Sequence, residues 1–223
     1  MASANNGVSI TADLVAFQEL ARFLKHYNYL EVVQHFYIPD CRIGDAPALL
    51  DQASFVVLDL EWWENVELNN ITEVGITVLR GKDMQEHAKI FDLENMLMKS
   101  TTHHWRVIEH CHMRNKLPKL NPGAELNSLF AHTRYVAKSD LKRGLIKIFH
   151  GHSDDGHKAP VILAGYAVWH DTGKLSRQYG VNLDKIPNIV YQTKDMNILA
   201  MQASVHAQGE KKPLSKIIEG FGV

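Results

Sequence analysis

The chain has 223 residues and a formal net charge of −1, which is long enough to bury a substantial core and too nearly neutral for any bulk attraction to nucleic acid. Binding of that kind would have to rest on a local patch or on bound metal. With only Cys41 and Cys111, and no CxxC spacing, the composition offers neither a disulfide framework nor a zinc knuckle, so free thiols in a reducing compartment are expected.

The N-terminal MASANNGVSITADL has no basic region followed by an apolar one, and no stretch approaches ~18 uninterrupted apolar residues. The expectation is a protein of the cytoplasm or nucleus with no membrane span. Thr11 to Tyr29 carries apolar residues at helical spacing (Leu14, Phe17, Leu20, Ala21, Leu24), with Thr11 as N-cap. From Leu30 to Gln52 the pattern breaks up around Pro39, Gly44 and Pro47 and reads as a connection. Residues 1–50 are thus taken as an N-terminal helix and connecting segment, and 51–223 as the main domain.

Phe55 to Leu79 reads as a β-hairpin, FVVLDLEWW and ITEVGITVL, with Asn65, Asn69 and Asn70 between the strands. Alternation puts Phe55, Val57, Asp59 and Glu61 on one face and Val56, Leu58 and Leu60 on the other. Two acids therefore stand side by side, and no Lys or Arg lies between Leu49 and Leu79 to neutralise them. Withdrawing carboxylates from water is costly unless a positive group lies between them, and oxygen-only ligands suit Mg²⁺ or Mn²⁺ rather than zinc. The plainer alternative is a strand end where both acids are solvated.

Further along, Gly81-Lys82-Asp83 reads as a turn and His87 to Leu93 as a third antiparallel strand. The segment TTHHWRVIEHCHMRN contains His103, His104, His110 and His112, which either serve a transition metal or belong to a strand and loop with hydrogen-bonded histidines. Ser139 opens a helix with Leu141, Leu145, Ile146 and Phe149 as its buried stripe. Val161 to Ala164 reads as a strand covered on both faces, followed by a helix to Tyr179 with Asp171 near its start. Pro187 to Tyr191 is another strand, and Lys194 to Ala207 its helix. Three meandering strands and then strands alternating with helices describe an α/β mixed sheet flanked by helices. At a helix start, Asp171 is either a first-turn acid facing the dipole or a residue delivered into a cleft.

The DLE of the first strand, the ITEVGI of the second and the Asp171 helix together resemble the DEDD-type 3′–5′ exonucleases on a ribonuclease-H-like fold. HHWRVIEHCHMRNK further resembles a segment of their fungal Gfd-type branch, and the resemblance spans roughly Ser54 to Val223. It implies Asp59, Glu61 and Asp171 as catalytic metal ligands for two Mg²⁺ or Mn²⁺ ions about 3.5–4 Å apart. On this reading Asp59 bridges both ions, Glu61 holds the one beside the attacking water and Asp171 the other. Single-stranded RNA or DNA is the implied partner, with Trp62 and Trp63 stacking on bases and Lys174 and Arg177 contacting phosphate. Core packing and solvated helix charges are the alternatives for these four.

Two departures qualify the resemblance. Gln192-Thr193-Lys194 stands where that branch usually has Asp-Thr-Gln, and the final motif, a His followed by an Asp, is missing before Val223. The domain thus reads as incomplete at its C-terminus, lacking the general base and fourth ligand, with weak metal binding and slow or no turnover expected. Tyr191 and Asp195 spell the tyrosine-type variant of that motif, too early in the fold to serve as it. Two other classes remain open. One is a non-catalytic scaffold whose N-terminal helix or histidine segment docks a protein partner, and the other is a histidine-based transition-metal binder.

Overall fold

The computed structural model describes residues 6–63, 69–88, 93–113, 131–150, 158–193, 195–205, 207, 212 and 216. Its framework is a six-stranded sheet made of β1 (Ser54–Trp62), β2 (Ile71–Arg80), β3 (Thr101–Val107), β4 (Thr133–Val136), β5 (Val161–Ala164) and β6 (Ile189–Gln192). The spatial order is β4-β3-β2-β1-β5-β6. β1, β2 and β3 pair antiparallel, whereas β5 lies parallel to β1, β6 to β5, and the short β4 to β3 at the far edge. This is the ribonuclease-H-like mixed sheet that the strand sequence implies.

Each face of the sheet has its own core. Val56, Leu58 and Leu60 point toward α5 (Lys138–Phe149) and α6 (Val168–Tyr179), meeting Leu141, Leu145, Phe149, Val168 and Leu175. On the other face Phe55, Ile162 and Val190 meet Phe17, Leu20 and Leu24 of α1 (Asn6–Leu24) and Val32 and Phe36 of α2 (Tyr29–Tyr37). Strand β5 is buried at every position because it is covered from both sides. Full burial of each such side chain contributes about 1.5–3 kcal/mol.

Three expectations change. The helix of residues 11–29 starts earlier, ends at Leu24, and is followed by a second helix inside the supposed connection. Asn28 caps it, accepting from the Glu31 backbone N–H at 3.0 Å while the Glu31 carboxylate accepts from the Asn28 N–H at 2.6 Å. This reciprocal box supplies partners that helix starts otherwise lack. Gly81 opens α3 (Gly81–Ala88) rather than a turn, with Asp83 in its first turn bonded to Arg80 at 2.7 Å. The third strand is β3, not His87 to Leu93. His87 and Ala88 end α3, Leu93 begins α4 (Leu93–Met98), and residues 89–92 lie outside the described ones. A further helix, α7 (Met196–Gln202), is capped by Asp195, and the hydroxyl of Tyr191 donates to the Tyr27 carbonyl, so both members of the apparent tyrosine motif are engaged in structure. Among the described residues no helix is long and apolar enough to cross a membrane.

Asn188 ties the layers together. Its buried amide donates to the carbonyls of Phe149, His150 and Ala159, each at 2.9 Å, and so serves acceptors left over at the end of α5. Asn188→Ala leaves those carbonyls without that donor, and the expected loss is about 2 kcal/mol. In urea unfolding this reads as a lower midpoint with an unchanged slope.

Candidate active site

β1 is longer than its parallel neighbour, and the pairing of β1 with β5 ends at Val57 and Ala164. The second half of β1, which carries Asp59 and Glu61, thus has an open side where the chain leaves β5 and turns into α6. Gly165 permits that turn, since a Cβ there would sit 2.6 Å from the Leu58 carbonyl oxygen. Ala167 follows in the left-handed region at φ 52°, an uncommon conformation for a residue with a Cβ. The helix end is tied to the hairpin, with the Gln178 amide donating to the Asn69 carbonyl at 2.6 Å and accepting from the Ile71 N–H at 3.0 Å.

Val168, Leu175 and Tyr179 recur at helical spacing and are buried against the sheet, and Asp171 falls on the same stripe with 4% exposure. The stripe that fastens α6 to the core therefore also buries an acid. Burial first, and then the charges of Asp59 and Glu61, push the Asp171 carboxyl up to about 8, with the charge of Lys174 opposing the rise. Asp59 is raised as well, by burial. Its side chain stays open to solvent on one side, which leaves part of its hydration intact and moderates the consequence. Gly75 is its cross-strand neighbour on β2, so that strand presents no side chain beside it.

A fourth acid, Glu73, sits opposite Glu61. It is neutralised differently, because β3 places His104 and Arg106 on the same face. Glu73 pairs with Arg106 and with His104 Nε2 at 3.0 Å. His104 Nδ1 meets the Thr133 hydroxyl at 2.8 Å, and Arg106 also donates to the carbonyls of Cys111 and Met113. Asp59 and Asp171, by contrast, have no salt bridge or hydrogen-bonding side chain among the described residues. Oxygen donors gathered without a counterion fit a hard divalent cation such as Mg²⁺ or Mn²⁺. Among the described residues, however, no group of three or more His, Cys, Asp or Glu side chains is placed so that it could hold a metal ion.

The remaining sequence candidates fall into two groups. Lys174 Nζ lies 4.1 Å from the Trp62 ring centroid, so these two pair with each other beside the acids. A register shift after Glu61 turns Trp62 away from plain alternation. Trp63 closes the hairpin with a backbone bond to Asn70, and the exposed Arg177 bonds back to the Gly173 carbonyl. Among the described residues no hydrogen bond or ion pair joins these two to the acids. The histidines of 103–112 do not assemble. His103 lies near Trp105 on the opposite face from His104, His110 Nδ1–H donates to the Ile71 carbonyl at 2.7 Å, and His112 is exposed.

Sequence reasoning named His104 only as one of four histidines and passed over Glu73 and Arg106, although period-two reading of THHWR puts His104 and Arg106 on one face. It also passed over Trp169, which is 59% exposed one turn before Gly173 and stacks on His170 with centroids 3.5 Å apart. A large exposed indole two residues before Asp171 was legible as a surface aromatic only once the helix register was known.

A family model described as DNA polymerase III subunit epsilon-like, C-terminal domain (DEDDh_C), matches residues 54–223. No curated protein matches the chain.

Because Asp171 ionises near 8 when folded and near 3.9 when unfolded, the folded chain holds the extra proton between those values. Its contribution to stability is full below about pH 4 and is lost as pH rises toward about 8. Asp171→Asn should flatten this decline and leave the variant more stable than the wild type at pH 8, as read from urea midpoints across that range. Equal pH profiles for the two proteins would contradict the assignment.

Proposed function

Since the chain belongs to the DEDDh exonuclease family, by a match over residues 54–223, we propose that it acts on the 3′ end of single-stranded nucleic acid at Asp59, Glu61 and Asp171. The observation that carries this reading is that the Asp171 carboxyl is raised first by burial and then by the charges of Asp59 and Glu61, with no basic side chain paired to it among the described residues. Structural acids are rarely left so, as Glu73 illustrates in the same sheet.

On this reading the three carboxylates would hold two Mg²⁺ or Mn²⁺ ions, which would supply Lewis acidity for phosphodiester hydrolysis. Asp171 must give up its proton before it can serve as a ligand, so binding is favoured as pH rises. Lys174, braced over Trp62, keeps positive charge beside the acids, and the exposed Arg177 is available to a phosphate. Trp169, backed by His170, offers a flat apolar surface for a terminal base. The HHWRVIEHCHMRN segment supports a finer placement in the fungal Gfd-type branch, and the free thiols of Cys41 and Cys111 fit work in the cytoplasm or nucleus.

Mn²⁺ should raise the melting temperature of the purified chain, by more at pH 8 than at pH 6, and Asp59→Ala should abolish the effect. Cleavage of a 3′-labelled single-stranded oligonucleotide with Mn²⁺ should be detectable in the wild type and absent in the same variant. No effect of Mn²⁺ on stability would instead favour the alternative, a non-catalytic scaffold that binds a protein partner on this fold.

Trp169→Ala should weaken binding of a single-stranded oligonucleotide by about 1–3 kcal/mol while leaving the melting temperature unchanged, because the side chain is largely exposed. Fluorescence anisotropy checks the affinity. Unchanged affinity would remove Trp169 from the interface.

A further inference from the structure

At the other end of the sheet, away from the acids, the strands border a cavity of about 330 Å³. Its floor is apolar, formed by Val56, Val78, Ile148 and Val161. Three cationic side chains reach it from separate elements, Arg80 from the end of β2, Lys99 from just after α4, and Lys147 from the last turn of α5. Arg80 is already bonded to Asp83. The ammonium groups of Lys99 and Lys147 have no ion pair or hydrogen bond among the described residues, so about two positive charges face the opening uncompensated.

Two hydroxyls join them. Ser54 is only 6% exposed and lines the cavity, and its hydroxyl has no hydrogen-bond partner among the described residues. The hydroxyl is not itself among the fully buried unpartnered side-chain atoms, so it opens onto the cavity, where a ligand oxygen can reach it. Thr101 adds a second, exposed hydroxyl. A simpler role exists for Lys147, which complements the dipole at the end of α5. The same role is open to Lys99 at the end of α4, but it explains neither the convergence of both lysines on one cavity nor the hydroxyls beside them.

From this arrangement we infer that the cavity binds a phosphate monoester whose body is apolar. A phosphate dianion carries about −1.5 to −2 charges and three acceptor oxygens, matching two unpaired ammonium groups and two hydroxyls better than a carboxylate does. The volume lies at the small end of ligand sites, about 300–1,000 Å³, so one ring or a short chain fills it. Ser54 is five residues from Asp59, about 17 Å along the strand, and on the opposite sheet face. The site is therefore separate from the acids and stands whether or not the nuclease reading holds.

Calorimetric titration of the full chain in EDTA with phenyl phosphate and with inorganic phosphate tests this. Saturable binding of phenyl phosphate is expected, at least tenfold tighter than that of inorganic phosphate. The Lys99→Ala/Lys147→Ala protein should lose at least tenfold, and Thr101→Glu, at an exposed position, should abolish binding. Asp59→Ala should bind like the wild type. Absence of saturable binding, indifference to the lysine and Thr101 changes, or equal affinity for the two phosphates would each overturn the inference.

Discussion

Asp171 stands in a conflict that the surrounding structure has to resolve. Its helix can bury Val168, Leu175 and Tyr179 only by burying the acid on the same stripe, and the acid then lies within reach of the charges on Asp59 and Glu61. Each unit by which its pKa rises disfavours the ionised form by about 1.4 kcal/mol. The apolar burial along α6 offsets that cost, and Gly165, pressed against β1, holds the helix where the conflict persists. A chain selected only for stability would have a neutral residue at this position.

The same sheet shows the other way of dealing with an acid. Glu73 is one pairing step from Glu61, yet Arg106 and His104 reach it from β3 and satisfy it within the protein. Glu73 is thus a structural acid, and its network also fixes the chain after β3 through the carbonyls of Cys111 and Met113. Asp59 has Gly75 as its neighbour where Glu61 has Glu73, so the sheet leaves space beside one acid and crowds the other. The contrast distinguishes acids that need an external partner from those that do not.

Charge is also divided along the strands. Acids gather where β1 outruns β5, and lysines gather where β1 begins, with the apolar core between. A formal net charge of −1 hides this division, because the two ends cancel in the total. Low net charge therefore says little about binding here, and local fields of opposite sign at the two ends decide what each can hold.

Much of this was legible in the residues alone. Alternation in β1, the continuous apolarity of β5, and the helical stripes of α5 and α6 are local patterns, and local patterns suffice when burial follows the period of the backbone. The helix from Tyr29 was hidden by Pro39 and Gly44 beyond its end, although Asn28 and Glu31 announce its start. β3 was legible only as one of two readings of its segment, because its histidines and arginine look polar, and its pairing with β2 and with Glu73 decides for the strand. The carboxylates of Asp59, Glu61 and Asp171 could each be named from the sequence. Their mutual effect could not, because it depends on β5 stopping short of β1 and on the register of α6, and both are set by packing between segments more than a hundred residues apart. The pairing of Trp62 with Lys174 and the cavity of Lys99 and Lys147 have the same origin, since a sequence determines which groups a chain carries and long-range packing determines which of them meet.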